Sequence, residues 1–325
     1  MMNKTTVGMI SSYKAITQAD WLWKQTPQPF GVWGDIQVLA QNPEPDFLLL
    51  YNFNSFPGLQ RKPSKTWRSW LNDLKKQPIK QEIDIHSQLR GVPKERTISL
   101  LREPPFPEKQ ERRIKEYLAA QEYCGYISGP DDFAPIPDYM PAIWYVNASF
   151  RELNEMGVPE KQRLCSWITS GISRTESHRK RLAFLKLLVE SDLDTDIYGR
   201  GLPNWANGNG SVDDKWNVMA PYYYNLAIEN YVENDWYVSE KLWDALLGWC
   251  LPIYYGGSAA DKLLPPGSFL RLPSLDEKGL AYIQEVIKTP DVWHQAKDAI
   301  AEARQVILNE LNLLNFLSKL VKKLR

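Results

Sequence analysis

Short apolar runs alternate with longer amphipathic stretches along this chain, and the pattern is sharpest between Tyr224 and Gly257. There an apolar run, Asn225–Ile228, ends in Glu229-Asn230. A polar loop follows, and Ser239-Glu240-Lys241 opens a helical stretch that closes at Gly248. A second apolar run, Leu251–Tyr255, then meets Gly256-Gly257. Runs of this length bounded by turn formers read as buried strands, and the stretch between them as a crossover helix. In a parallel sheet with helical crossovers, ligands gather at the carboxyl ends of strands and the amino ends of helices. Those places here hold Glu229, Asn230, Ser239, Glu240 and Lys241.

The same alternation organises the rest. In the first half, Phe47–Tyr51, Thr97–Leu101, Tyr123–Ile127 and Ile143–Val146 read as strands. Helices are expected over Ser64–Lys76, with Trp67, Trp70, Leu71 and Leu74 on one face, and over Glu108–Ala120. In the second half Leu164–Thr169 is strand-like and Ser177–Glu190 helical. Asp196–Tyr198 is a short strand ending in Gly199-Arg200-Gly201, and Phe269–Leu272 and two helices follow Gly257. The expected fold class is therefore α/β, with two Rossmann-like βα domains facing each other across a cleft. Ala148–Gln162 is the expected linker, which gives domains over residues 1–155 and 156–305. Residues 306–325 form a terminal helix with Leu311, Leu314, Leu317, Val321 and Leu324 near one face and Lys319, Lys322, Lys323 and Arg325 beside them. Such an end can pack on the other domain or make peripheral contact with an anionic membrane, and the pattern allows both.

Composition narrows the function classes. The 39 basic residues balance 39 acidic ones, so no global field favours nucleic acid. Thirteen Trp and 16 Tyr could line a sugar site, although a large core accounts for most of them. Cys124, Cys165 and Cys250 are scattered in apolar surroundings. They are expected as buried free thiols, which argues for a reducing, cytoplasmic setting at the inner face of the membrane or away from it. The first 24 residues read as neither signal peptide nor membrane anchor.

Several familiar chemistries lack their residues. There is no G-x-x-x-x-G-K-[ST] phosphate loop and no G-x-G-x-x-G at a first strand. His86, His178 and His294 have no partner at metal or triad spacing, and His178 is expected at the surface. Asp194-Thr195-Asp196 reads as a turn before a strand rather than a metal-clamping pair, so no metal site is expected. Lys241 near a helix start places a point charge where backbone N–H groups already favour an anion, and Arg181 and Arg200 could add bidentate phosphate contacts. Glu240 suits vicinal hydroxyls such as those of ribose. An equally simple account makes Ser239 and Glu240 ordinary helix caps. Glu103, after a strand and before Pro104-Pro105, is the best general-base candidate of the first half. It also fits an exposed loop carboxylate paired with Arg102 or Arg112.

Taken together, these residues resemble the α1,3/1,4-fucosyltransferase family, the family 10 glycosyltransferases. The family pattern Y-K-F-x-L-x-F-E-N is matched by Tyr224–Asn230, its Y-V-T-E-K by Tyr237-Val238-Ser239-Glu240-Lys241, and its P-(I/V)-(Y/V)-x-G by Pro252–Gly256. Leu264–Phe269 is similar to its L-P-x-x-S-F element, and Asp196–Arg200 to its V-D-V-Y-G-R strand end. Gly171 stands where the family often has Asn, and Glu103-Pro104-Pro105 resembles its E-S-P element. The resemblance implies a GT-B fold and an inverting transfer of L-fucose from GDP-fucose to a glycan hydroxyl, with α1,3 linkage to a GlcNAc-type sugar. It implies an acceptor-binding first domain and a donor-binding second domain. By position Arg181 (with Arg179 as rival) and Lys241 would hold the diphosphate, Glu240 the ribose, and Asn230 and Tyr237 the rest of the donor. Glu229 and Arg200 are counted with the donor-binding residues, and Glu103 would deprotonate the acceptor. No tightly bound cofactor is implied, and a divalent cation would at most stimulate. Turnover of another GDP-sugar, or binding without transfer, are the alternatives.

Overall fold

The computed structural model describes residues 4–13, 22–57, 59, 84–191 and 193–325. The expected helix over Ser64–Lys76 lies outside the described residues. Two parallel sheets carry the fold. The first contains β1 (Thr5–Ser11), β2 (Val32–Trp33), β3 (Ile36–Val38), β4 (Phe47–Tyr51), β5 (Thr97–Leu100), β6 (Tyr126–Gly129) and β7 (Ile136–Pro137), in the order β2-β3-β1-β4-β5-β6-β7. The second contains β8 (Arg163–Ser170), β9 (Thr195–Arg200), β10 (Tyr222–Ile228), β11 (Leu251–Tyr255) and β12 (Leu270–Arg271), in the order β12-β11-β10-β8-β9. Every pairing between named strands is parallel except β2 with β3. Parallel strands covered on both faces explain the unbroken apolar runs: all five residues of β4 are buried.

Helices cover these sheets: α1 (Gln110–Tyr123), α2 (Phe150–Glu155), α3 (Glu176–Glu190), α4 (Glu240–Leu247), α5 (Ala259–Leu263), α6 (Glu277–Val286), α7 (Asp291–Gln305) and α8 (Leu313–Leu324). The architecture is thus the expected pair of Rossmann-like βα domains, with four local corrections. The strand expected over Tyr123–Ile127 begins at Tyr126, because α1 continues to Tyr123 and buries Tyr117 and Ala120 on a helical face. Ile143, Trp144 and Val146 are buried, but the run forms no strand. The neighbouring Ala142 makes an isolated bridge with Asn312, and Trp144 fills the core. The linker Ala148–Gln162 contains α2, held by a capping box between Ser149 and Glu152. Thr195 and Asp196 belong to β9 rather than to a turn.

The terminal segment ties the domains together. After α7 the chain makes one wide π turn, Val306–Glu310, and crosses back to the first sheet. Asn312, fully buried, caps α8 by accepting from Leu314 N at 2.8 Å and donates to Gln25 O at 2.9 Å. Leu313, Leu314, Leu317, Leu320 and Val321 then pack against Val7, Ile36, Val38 and Phe47, while Lys319, Lys322, Lys323 and Arg325 stay exposed. The apolar face of this helix is therefore covered by its own chain. All three cysteines are free and buried. Among the described residues, no helix is long and apolar enough to cross a membrane.

Candidate functional site

The carboxyl ends of β8 and β10 and the amino end of α4 meet around a cavity of about 210 Å³. Ser239 caps α4, its side chain accepting from Lys241 N, and Gly248 ends the helix. Six of the eight helical residues are buried, so the fold fixes α4 from nearly every side and leaves its first turn as the open end. Arg181, Asn230, Glu240 and Lys241 line the cavity together with Ser170, Asn225 and Lys215. Three cations against one carboxylate, beside a helix amino end, make an anion-favouring hollow.

Each charge is held from behind. Both carboxylate oxygens of the buried Glu229 are occupied: Ser239 N donates at 2.7 Å, Ser239 Oγ at 2.7 Å and Lys241 Nζ at 3.3 Å. Burial opposes the charge on Lys241, but Glu229 and Glu240 outweigh it and raise its pKa. Burial likewise opposes ionisation of Glu240, yet Lys241, Lys215 and Arg102 hold its carboxyl at about 2. Arg181 is 3% exposed. Its Nη1 donates to Asn230 Oδ1 at 2.7 Å and its Nη2 to Ser170 O at 2.9 Å. No carboxylate faces it in those contacts, its Nε has no hydrogen-bond partner, and burial lowers its pKa to about 10. A buried guanidinium of this kind is the least neutralised cation of the cavity and calls for an anion.

The structure therefore brings Arg181, Asn230, Glu240 and Lys241 to one cavity and places the other expected donor residues differently. Glu229 is a support for Ser239 and Lys241 and does not line the cavity. Tyr237 is buried beside Tyr231, its ring 6.0 Å away, under Phe106 of the first domain. It packs the domains together rather than facing the cavity. Arg200 is exposed at the end of β9, outside the lining. It follows Gly199, whose φ of +146° and close approach to the Thr169 carbonyl leave no room for a Cβ. His178 is buried, not superficial. It accepts from Thr175 N through Nδ1 at 3.2 Å in the capping box of α3 and meets Phe106 edge-on at 5.5 Å. Burial, then Arg181 and other cations, lower its pKa to about 4.

Across the cleft, Glu103 lies exposed beyond β5. Its carboxylate accepts from the Tyr13 hydroxyl, and Arg113 Nη1 fixes the loop by donating to its backbone carbonyl at 2.8 Å. It pairs with neither Arg102 nor Arg112; Arg112 bonds Glu116 instead. Burial, followed by Glu103, raises the Tyr13 phenol, with a smaller contribution from Glu240. The two carboxylates thus bear on the same aromatic cluster from opposite domains.

Sequence reasoning missed Arg102 as a bridge. It is buried, donates to Tyr51 Oη at 3.0 Å and lies 3.9 Å from Glu240 across the cleft. Lys215 and Asp244 were also missed. Asp244 sits one helical turn after Glu240, a same-face acidic pair that the sequence does display; nothing local marks Lys215. A second hollow, about 350 Å³ and lined by Arg163, Cys165, Asp194 and Asp196, opens at the opposite, amino ends of β8 and β9. There Asp196 accepts from Arg163, Tyr222 and Asn209, so its carboxylate serves the sheet edge. Among the described residues, no group of three or more His, Cys, Asp or Glu side chains could hold a metal ion.

Residues 158–295, which contain this cavity, match the model for the carboxyl-terminal part of glycosyltransferase family 10 (fucosyltransferase). A gorilla 4-galactosyl-N-acetylglucosaminide 3-alpha-L-fucosyltransferase FUT6 is 30% identical over 168 residues, 50% of this chain and 43% of that protein. The Drosophila melanogaster Alpha-(1,3)-fucosyltransferase C is 32% identical over 138 residues, 41% of this chain and 30% of that protein. The alignments thus span less than half the length of these relatives. An alpha-glucosyltransferase solved with UDP and a 13-mer DNA superposes over 99% of this chain and 100% of its own, with a TM-score of 0.54 at 10% identity. That likeness covers both domains and is one of fold alone.

Proposed function

Taking the second half of the chain as a family 10 glycosyltransferase domain, we propose that the protein is an inverting fucosyltransferase that moves L-fucose from GDP-fucose to a hydroxyl of a glycan acceptor, in α1,3 linkage to a GlcNAc-type sugar. The observation that carries the reading is the cavity of Arg181, Lys241 and Glu240 at the joined ends of β8, β10 and α4. Arg181 and Lys241 would meet the diphosphate, with Asn230 orienting Arg181. Glu240, held ionised, would accept from the ribose hydroxyls.

In this reading the acceptor hydroxyl oxygen attacks the anomeric carbon as its bond to the β-phosphate oxygen breaks. GDP leaves with the electron pair, and the hydroxyl proton passes to Glu103. Fixed cations at the departing diphosphate lower the barrier because they need no reorganisation as charge develops. The chemistry is split between domains because the donor cavity offers no spare carboxylate: Glu229 is saturated and Glu240 faces cations. Regarding place of action, we propose the cytoplasm. The exposed basic edge of α8 could there meet an anionic surface electrostatically, its apolar face being buried.

The test is a transfer screen. GDP-fucose and GDP-mannose are each offered with lactosamine-type and O-antigen-type acceptors, and product anomers are read by NMR. GDP-fucose consumption with inverted product is expected. Consumption of GDP-mannose alone would replace the donor, and GDP binding without any transfer would make the chain a binding protein.

A further inference from the structure

We propose that Lys215 is a further donor-binding residue, a second lysine held at the cavity to meet a phosphate oxygen of a nucleoside diphosphate. This rests on the donor-site reading above. Lys215 lines the same cavity as Arg181, Glu240 and Lys241 but arrives from the loop before β10 and reaches α4 at Asp244. Its Nζ donates to Asp244 Oδ2 at 2.5 Å, and it stands 5.3 Å from the centre of the Tyr145 ring. Asp244 is fully buried, and its other oxygen accepts from Tyr145 N at 2.7 Å.

The arrangement repeats, with different residues, the one that holds Lys241. In both cases a fully buried carboxylate stands behind a lysine whose side chain remains about one-fifth to one-quarter exposed. Burying an acid without need is costly, and burial alone would neutralise it; here it raises the pKa of Asp244 against the pull of Lys215. A buried acid aimed at a single lysine makes structural sense when that lysine must keep one position. An ammonium has three donors, and Asp244 takes one, so the group can turn another toward an incoming oxygen. Lys215 is also near enough to Glu240 to be the second cation, after Lys241, holding that carboxyl ionised. The two lysines and Arg181 thus approach the cavity from α4, from α3 and from the loop before β10. That spread suits a group with several anionic oxygens better than a lone carboxylate. Asp244 acts as a positioning residue, since it touches Lys215 and not the cavity.

The test is calorimetric binding of GDP, GMP and guanosine to the full chain, wild type against Lys215→Met and Lys215→Gln. The glutamine can still donate to Asp244 and so keeps the packing if methionine does not fold. A loss of about 10- to 100-fold for GDP is expected, the range of one charge-assisted hydrogen bond, with guanosine unchanged. GDP affinity equal to wild type in a folded variant overturns the assignment of Lys215 alone. An equal loss for guanosine also overturns it, by showing a role in shape rather than charge. A wild-type chain that prefers guanosine to GDP overturns the nucleotide reading of the cavity, and this inference with it.

Discussion

Lysine 241 shows how little a residue's type says until its support is known. Its ammonium is useful to an anion only because Glu229, 12 residues earlier, fixes it with Ser239 at the mouth of α4. Lys241→Ala should weaken GDP binding and, by leaving the buried Glu229 without its cation, also lower stability. Glu229→Gln should weaken it too, by about tenfold, while adding a stability loss of about 1–3 kcal/mol from the charge-assisted bonds that Ser239 and Lys241 lose, read by calorimetry and denaturant unfolding. An unchanged GDP affinity in Glu229→Gln would show that Lys241 needs no support. Glu103 answers to a different measurement. Glu103→Gln should lower kcat by about 10²- to 10⁴-fold and leave GDP binding intact, since its carboxylate stands on the other domain. Retained turnover would remove it as the base. That Glu103 follows a strand was legible in the sequence; its bond from the Tyr13 hydroxyl, 90 residues away, was not.

At the scale of elements, α3 and α8 make the sharper claims. His178 closes the capping box of α3 in its neutral form, with a pKa of about 4 against an ordinary 6.5. A folded-state pKa below the unfolded one means stability that is complete above pH 6.5 and is lost as pH falls toward 4. Thermal melts at pH 7.5, 5.5 and 4.5 should show that decline, and His178→Gln, which can still cap, should flatten it. An identical slope in the variant would assign the decline to other groups. Helix α8 is expected to be an integral part of the first sheet's core. Leu317→Ala should destabilise the protein by about 2–5 kcal/mol, whereas Lys322→Gln should be nearly silent in the same unfolding experiment. The apolar stripe of α8 was readable from its spacing. Its partner was not, because an amphipathic face specifies burial without specifying against what.

For the whole molecule, the decisive feature is that the domains meet through buried side chains around the cleft. Phe106 of the first domain is wedged against His178 and Tyr231 of the second, and Asn234 and Trp236 reach back to Pro130 and Asp132 at 2.7 and 2.8 Å. Phe106→Ala should cost about 3–5 kcal/mol if the domains unfold together, with a single cooperative transition. Two separated transitions, the second domain melting as in wild type, would show instead that the interface is dispensable.

What the sequence determined was local and periodic. Apolar runs bounded by turn formers set β4, β8, β10 and β11, the Ser239 and Gly248 caps set α4, and the ordered motifs from Asp196 to Phe269 carried the family resemblance. These signals were legible because strand burial and helix capping act between residues a few positions apart. The tertiary structure alone decided which charges share a cavity. It set Glu229 behind Ser239 and Lys241 and Tyr237 among Tyr231 and Phe106, and it brought Lys215 and Arg102 to Glu240 from loops with no pattern of their own. Electrostatic and hydrogen-bond partners are chosen by proximity in space. Proximity between distant segments is fixed only when both sheets, and the helix that returns from one to the other, have packed.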